Sequence, residues 1–180
     1  MPVPASLDLI FGRRSVRRYA PGEIPAEQVA TLLEAAMAAP SAMTKDPWRF
    51  VVVRSPETLD CLAAALPGGR MLPSATLAIV VAGDLAAALE QNTSYLLQDC
   101  AAAIENLLLA AHGLGLGACW VGIHPAEQSV REVRGLLVLP AGVVPVAAVA
   151  LGWPGESLPP RHRYQASSIH YERWGATTPG

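Results

Sequence analysis

The segment 94–114 constrains this chain most, because it is apolar almost all the way round a helix. The apolar side chains that recur along it are Leu96, Leu97, Ala101, Ile104, Leu107, Leu108 and Ala111. A helix without a broad polar face has to be buried. A chain of 180 residues covers such a helix most easily when a second subunit packs on its far side. We therefore predict a homodimer with this helix in its core.

Strand and helix patterns alternate along the rest of the chain. Apolar and β-branched runs predict four strands, at residues 48–54, 76–82, 118–123 and 143–151. Helical spacing and helix-start residues predict four more helices, at about residues 6–12, 25–40, 56–66 and 125–137. The run 76–82 is continuously apolar, which is typical of a central strand covered on both faces. Together these patterns predict a single α+β sandwich domain over residues 1–180.

The charge balance excludes several functions. The chain has 13 basic and 15 acidic side chains and a formal net charge of −2, so it has no excess positive charge for nucleic acid or an anionic membrane. Lys45, the single lysine, lies in Thr44-Lys45-Asp46, which excludes a Walker phosphate loop. The cysteines and histidines show no metal-ligand spacing, so we expect no bound metal.

Sorting signals and membrane spans are not apparent in the sequence. Residues 1–9 lack both a basic region and an apolar run long enough for export. The most apolar stretch, residues 100–120, is interrupted by polar residues and three glycines, whereas a membrane span needs about 20 nearly unbroken apolar residues. We therefore expect a cytoplasmic protein without a membrane partner.

The densest polar cluster holds four arginines within residues 13–18. In an extended chain, alternation places Arg13, Ser15 and Arg17 on one side. Two guanidinium groups and a hydroxyl would then converge, an arrangement that suits a phosphate monoester. On composition alone, a solvated basic turn that balances nearby acids is an equal alternative.

Two further segments bear on ligand binding. The loop 39–48 is small and polar, with prolines at its entry and exit, so that a flat ligand can approach its backbone, although many surface loops look the same. Residues 113–118 match the dinucleotide pattern G-x-G-x-x-A by letter, but a predicted helix precedes them and a predicted strand follows. This order is the reverse of the fingerprint, and we interpret the glycines as a helix end. Gly122, in the strand beyond, could present its backbone N–H to a ligand.

Taken together, five segments in this order resemble the flavin-dependent nitroreductase family over nearly the whole chain. They are RRSVRRY from residue 13, PSA…PW over 40–48, QDCAAAIENLLLAAHGLGLGACWVG over 98–122, LPAGVVPVAAVALGWP over 139–154, and RHRYQASSIHYERW over 161–174. The resemblance implies a three-layer sandwich with a mixed, mostly antiparallel sheet flanked by helices. It also implies a homodimer that exchanges a C-terminal arm, residues 155–180.

The same resemblance implies FMN as the cofactor, bound where the subunits meet. Electron pairs would pass from NADH or NADPH through flavin N5 to a nitroaromatic, quinone or related electron-poor small molecule, by a ping-pong route. The chemistry belongs to the flavin, so no side chain is predicted as a catalytic acid or base.

The resemblance assigns site residues position by position. Those for the phosphate are Arg13, Arg14 and Ser15, with Arg163 and, as a poorer candidate, Arg161. Arg17 would lie near flavin N1 and O2, where a cation stabilises the reduced ring most. The loop residues that would reach the flavin of the other subunit are Pro40, Ser41, Met43 and Thr44. The main chain of Gly122 and Ile123 would face N5, and Val121 is a further cofactor-binding residue. Arg70 and Trp120 would lie on the nicotinamide or substrate side.

Two positions depart from the family pattern, which usually has Asn and Gln where this chain has Thr44 and Asp46. Threonine offers one hydroxyl, and an ionised aspartate offers acceptors alone. This departure leaves room for a flavin-binding carrier or sensor without turnover. Reductive dehalogenation and peptide azoline oxidation are alternatives on the same fold, and a structural module that binds another phosphate is a third hypothesis.

Overall fold

The computed structural model describes residues 7–161 and 163–177. In chain order the described helices and strands are α1 (Asp8–Gly12), β1 (Tyr19–Ala20), α2 (Ala26–Met37), β2 (Trp48–Val53), α3 (Pro56–Ala65), β3 (Leu77–Asp84), α4 (Thr93–Gly113), β4 (Gly117–Gly122), α5 (Glu127–Leu136) and β5 (Val143–Pro154). The four predicted strands and five predicted helices all appear, with boundaries that shift by a few residues.

The sheet is antiparallel and its strand order is β2-β3-β5-β4. Strand β3 is buried along nearly its whole length, which confirms its predicted central place. Strand β5 is three residues longer than predicted, because its end pairs with the two-residue strand β1 in the register Tyr19↔Pro154. One parallel bridge joins Ser15 to Ala118 and brings the N-terminal segment to the outer edge of β4.

Two apolar cores lie on the two faces of the sheet, so the molecule has three layers. One core joins α2 and α4 to the sheet through side chains such as Leu32 and Ile104. The other joins α3 and α5 to the opposite face through side chains such as Leu62 and Val133. The predicted α+β sandwich is therefore confirmed.

Helix α4 is the longest described helix, at 21 residues. Its buried side chains are Leu96, Asp99, Cys100, Ala103, Ile104, Leu107, Leu108 and Ala111. Leu97, Ala101 and Leu109 are half-buried on this single chain. The expected burial is thus confirmed for one side of the helix, and its cover by a second subunit stays a prediction.

The chain beyond Gly155 leaves the sheet as an arm. Its described part holds one short 3-10 turn, Ala166–Ser168, and is mostly exposed. Trp174 is 91% exposed and lies against the His170 ring, with the ring centroids 4.2 Å apart. His162 and residues 178–180 of the predicted arm lie outside the described residues. Exchange of the arm between subunits stays a prediction.

Candidate functional site

A cleft of about 650 Å³ lies where the two ends of the chain meet. The residues that line it are Ile10, Phe11, Arg13, Arg14, Ser15, Arg17, Glu156, Leu158, Arg161, Arg163 and Tyr164. Five of these are arginines and one is a glutamate, so the cleft has a strong positive charge in a chain that is otherwise nearly neutral. All six side chains predicted for the phosphate or for the flavin edge from the two ends of the chain lie together here.

The edge of β4 holds the N-terminal wall of this cleft. The Val16 N–H donates to the Ala118 carbonyl at 3.0 Å, and the Val16 side chain is buried. Gly117 makes this contact possible, since a Cβ there would lie 2.7 Å from Val16 Cγ1. The expected alternation places Val16 inward, but Arg14 also lines the cleft with Arg13, because the segment leaves helix α1 just before it and is not a straight strand.

Glu156 ties the arm to the N-terminal segment. Its Oε1 accepts the backbone N–H groups of Arg17 at 2.7 Å and Arg18 at 3.1 Å, while the Gly155 N–H donates to the Arg18 carbonyl at 2.8 Å. The hydrogen bond from the Arg17 N–H is the main reason that the pKa of Glu156 lies below its ordinary value. These bonds aim the arm back across the cleft, so that Arg161 and Arg163 reach it.

The arginines retain donors for an anion. The Arg13 Nε lies 3.3 Å from Glu105 Oε1 without hydrogen-bond geometry. Arg14 donates one bond to the Pro159 carbonyl, and Arg17 Nη1 donates to the Ser15 carbonyl at 3.3 Å. A guanidinium carries five N–H donors in a fork that matches phosphate oxygens. The cleft can therefore hold a phosphate without breaking the bonds that position its walls.

Strand β4 turns the main chain of Gly122 toward the open edge of the sheet. Gly122 is paired with Ala147, and the next N–H, of Ile123, donates to Val146 at 3.1 Å. Because successive N–H groups of a strand point to opposite edges, the Gly122 N–H points away from β5. No described heavy atom outside its chain neighbours lies within 4 Å of a Cβ placed on Gly122. The face of the strand at Gly122 is therefore open to a ligand.

The neighbours of Gly122 have different surroundings. The side chains of Val121 and Ile123 are buried, and the Ile123 N–H is used within the sheet. Trp120 is 38% exposed and shares the strand parity of Gly122, so both lie on the same face of the sheet. Arg70 is exposed after α3 and does not line the arginine cleft. The roles given to these residues by the resemblance stay predictions.

The loop that begins at Pro40 does not line the arginine cleft. Met43 is 78% exposed at its tip, and Thr44 is also exposed. Ser41 is half-buried and bonds within the loop, its hydroxyl donating to Asp46 Oδ1 at 2.5 Å. Within one chain, therefore, this loop and the arginine cleft are separate surfaces.

Sequence reasoning missed the carboxylates that organise these surfaces. Glu156 and Glu105 lie far along the chain from the arginines that they contact, and Asp99 lies 57 residues from the loop residue that it holds. No local sequence pattern identifies a carboxylate that accepts a hydrogen bond from a backbone N–H in a distant element.

Two features are absent from the described part of the chain. No group of three or more His, Cys, Asp or Glu residues there could hold a metal ion. None of the described helices has the length and hydropathy needed to cross a membrane.

Comparison with known proteins gives one consistent family. A family model described as "Nitroreductase family" matches residues 10–69 and 63–153. A provisionally named NADH dehydrogenase/NAD(P)H nitroreductase of Methanothermobacter thermautotrophicus is 41% identical over 168 residues, which cover 93% of this chain and 87% of the relative.

Solved structures agree with the sequence comparison. A protein of Bacteroides thetaiotaomicron, with the same provisional name, superimposes with a TM-score of 0.90 at 39% identity, covering 96% of this chain and 100% of the other. A provisionally named nitroreductase of Desulfovibrio desulfuricans, solved in complex with FMN, superimposes with a TM-score of 0.82 at 34% identity, covering 96% of this chain and 99% of the other.

Proposed function

Because this chain belongs to the nitroreductase family, we propose that it is an FMN-dependent oxidoreductase that uses NADH or NADPH to reduce a small electron-poor molecule. One observation carries the proposal: arginines from both ends of the chain converge on one cleft beside the open edge of β4. The family and an FMN-bound relative support the cofactor.

The residues present fit FMN. The guanidinium groups of Arg13, Arg14, Arg161 and Arg163, with the Ser15 hydroxyl, would bind the phosphate. Arg17 lies in the same cleft and directly follows Val16, whose N–H bonds to Ala118 of β4, so its cation would lie near the strand that carries Gly122. When bound, FMN supplies the redox chemistry at N5. Arg17 would stabilise negative charge at the N1 and O2 edge, and the Gly122 N–H would orient the ring.

A homodimer would complete the site. The exposed apolar side chains of α1 and of the end of α2 include Leu9, Ile10 and Met37, which are 46%, 55% and 51% exposed. Apolar surface of this kind favours a protein–protein contact. Since the loop at Met43 is separate from the arginine cleft in one chain, it would reach the flavin held mainly by the other copy. The arm, with its exposed Trp174, would cross to the partner.

The test is an absorption spectrum of the purified protein, taken before and after anaerobic addition of NADH or NADPH. We expect flavin absorption that either nucleotide bleaches, and reoxidation by a quinone or a nitroaromatic. Parallel lines in double-reciprocal plots would support the ping-pong route. A colourless dimer that does not take up FMN would contradict the proposal.

A bound flavin that chemical reduction bleaches, but that passes no electrons to any acceptor, would instead favour the carrier or sensor. Turnover of halogenated substrates or peptide azolines would redirect the proposal to those reactions on the same fold. A single domain over residues 1–180 and a cytoplasmic location remain part of the proposal.

A further inference from the structure

The loop after Pro40 has an unusual backbone. Met43, Thr44 and Asp46 have φ angles of 51°, 53° and 48°, all in the left-handed region. Residues with a Cβ are disfavoured in that region, and the conformation persists where the surroundings impose it. Three such residues within four positions therefore need something that holds the loop in this shape.

A buried carboxylate of α4 provides the first restraint. The Asp99 side chain is 5% exposed, and its Oδ1 accepts the Ala42 N–H at 2.9 Å. Its Oδ2 is buried and has no hydrogen-bond partner among the described residues. Burying a carboxylate with an unpaired oxygen is costly, and an apolar side chain would fill the same space without that cost. Packing alone therefore does not account for Asp99.

The loop closes on itself through a second restraint. The Ser41 hydroxyl donates to Asp46 Oδ1 at 2.5 Å, and the Asp46 N–H donates back to the Ser41 hydroxyl at 3.0 Å. Asp46, one of the two departures from the family pattern, therefore directs its carboxylate into the loop. Met43 remains exposed at the tip, with Thr44 beside it.

We propose that Asp99 is a positioning residue for the flavin site, whose carboxylate holds the loop 40–46 in the left-handed shape that presents Met43 and Thr44 to the flavin held by the partner subunit. The Ser41–Asp46 pair closes the loop from the opposite side. The proposal rests on the function proposed above, because it gives the loop a purpose in binding FMN.

The sequence itself offers a direct probe of the loop. Lys45 is the chain's one lysine and is exposed within this segment. A lysine-specific protease can therefore cut the chain at one bond, after Lys45, and the rate of that cut reports how often the loop opens. This measurement needs neither FMN nor turnover, so it can fail or succeed separately from the proposed function.

The variants separate the hydrogen bond from the charge. Asp99→Ala removes the acceptor of the Ala42 N–H, and we expect cleavage about tenfold faster than in the wild type. Asp99→Asn keeps an amide oxygen in its place and should restore slow cleavage. Asp60→Asn, at an exposed position of α3, is the matched control and should cut at the wild-type rate.

The second readout is FMN affinity, measured by fluorescence titration of the full-length protein. We expect Asp99→Ala to bind FMN about tenfold more weakly, and Asp99→Asn and Asp60→Asn to bind as the wild type does. Unchanged cleavage in Asp99→Ala would overturn the proposal. So would faster cleavage with unchanged FMN affinity, because the loop would then be held for another reason.

If Asp99→Ala does not fold, Ser41→Ala tests the loop by removing the hydrogen bond between Ser41 and Asp46. It leaves Lys45 and Asp46, the two residues at the cleaved bond, unchanged. It should also be cut faster and bind FMN more weakly. Wild-type behaviour of Ser41→Ala in both measurements would then overturn the proposal. A wild-type protein that takes up no FMN would contradict the proposed function, while the cleavage rates would still decide what holds the loop.

Discussion

The arginine cleft and the loop 40–46 are built by opposite means. The N-terminal wall of the cleft is attached to β4 by one short backbone bridge, and the chemistry of the cleft lies in long charged side chains. The distinctive feature of the loop is a strained backbone, which bonds to the buried Asp99 carboxylate and is closed by a bond between the Ser41 hydroxyl and the Asp46 carboxylate. We therefore expect that a side chain can be removed from the cleft without changing the fold, whereas a change at a loop restraint should alter the shape of the loop.

The largest expected effect comes from removing a charged side chain from the arginine cleft. Arg13→Ala should weaken FMN binding by about 2 kcal/mol, roughly 30-fold, because charge-assisted bonds to the phosphate are lost. The melting temperature should change little, since Arg13 is not part of either core. A fluorescence titration measures the affinity, and Arg131→Ala on α5 is the control. Unchanged affinity for Arg13→Ala would remove this residue from the site.

A second substitution disturbs the packing of Val16 on Gly117, which supports the N-terminal wall of the cleft, and leaves the charges of the cleft unchanged. In Gly117→Ala the new Cβ would lie 2.7 Å from Val16 Cγ1, and such overpacking should lower the free energy of unfolding by about 1–2 kcal/mol. FMN affinity should fall as well, because the arginine segment is pushed from β4. Adding Val16→Ala should recover part of both losses in thermal unfolding and FMN titration. Additive losses in the double variant would show that this contact is not the cause.

Gly122→Ala separates ligand contact from stability. Open space surrounds the position, so the free energy of unfolding should change by no more than about 0.5 kcal/mol. FMN affinity should fall several-fold, because the methyl group would occupy the open space on the face of the strand where the flavin would approach the Gly122 main chain. Equal FMN affinity in the two proteins would place the ring elsewhere.

The smallest expected effect is the pH dependence of the hydrogen bonds through which Glu156 joins the arm to the N-terminal segment. Hydrogen bonds from the Arg17 and Arg18 N–H groups lower the pKa of Glu156 in the folded protein from its ordinary value of 4.5. The contribution of Glu156 to stability is therefore present above pH 4.5 and is lost as the pH falls through the folded-state pKa. Glu156→Gln keeps an acceptor but cannot titrate. The difference in melting temperature between wild type and Glu156→Gln should be constant above pH 4.5 and shrink below it. A difference that grows on acidification would refute this sign.

Much of the fold could be predicted because its signals are local. The buried helix α4 follows from its apolar side chains, and the central strand β3 follows from the run 76–82. Charge and spacing also indicated that Arg13, Ser15 and Arg17 could face one ligand, and all three line one cleft. The alternation was wrong about Arg14, which it placed on the opposite side and which lines the same cleft. The two-residue strand β1 was not predictable, because its pairing partner lies more than 130 residues away.

The charged side chains of the candidate site could be predicted from the sequence, but the hydrogen bonds that position them could not. Nothing near Glu156 in the chain indicates that it would accept the Arg17 and Arg18 N–H groups. Nor does the sequence indicate that the Asp46 carboxylate would accept a hydrogen bond from the Ser41 hydroxyl. Such bonds depend on which elements fold next to each other.

The amino-acid sequence alone determined the helices and strands, the apolar faces and the excess of guanidinium groups at the chain's two ends, because each depends on residue type and spacing over a few positions. Tertiary structure alone decided that the two ends meet beside β4, that the Gly122 N–H faces an open edge, and that the Asp99 carboxylate holds a loop 57 residues earlier in the chain. The physical reason is that hydrogen bonding and close packing act between atoms that are near in space, and only the folded chain specifies which atoms those are.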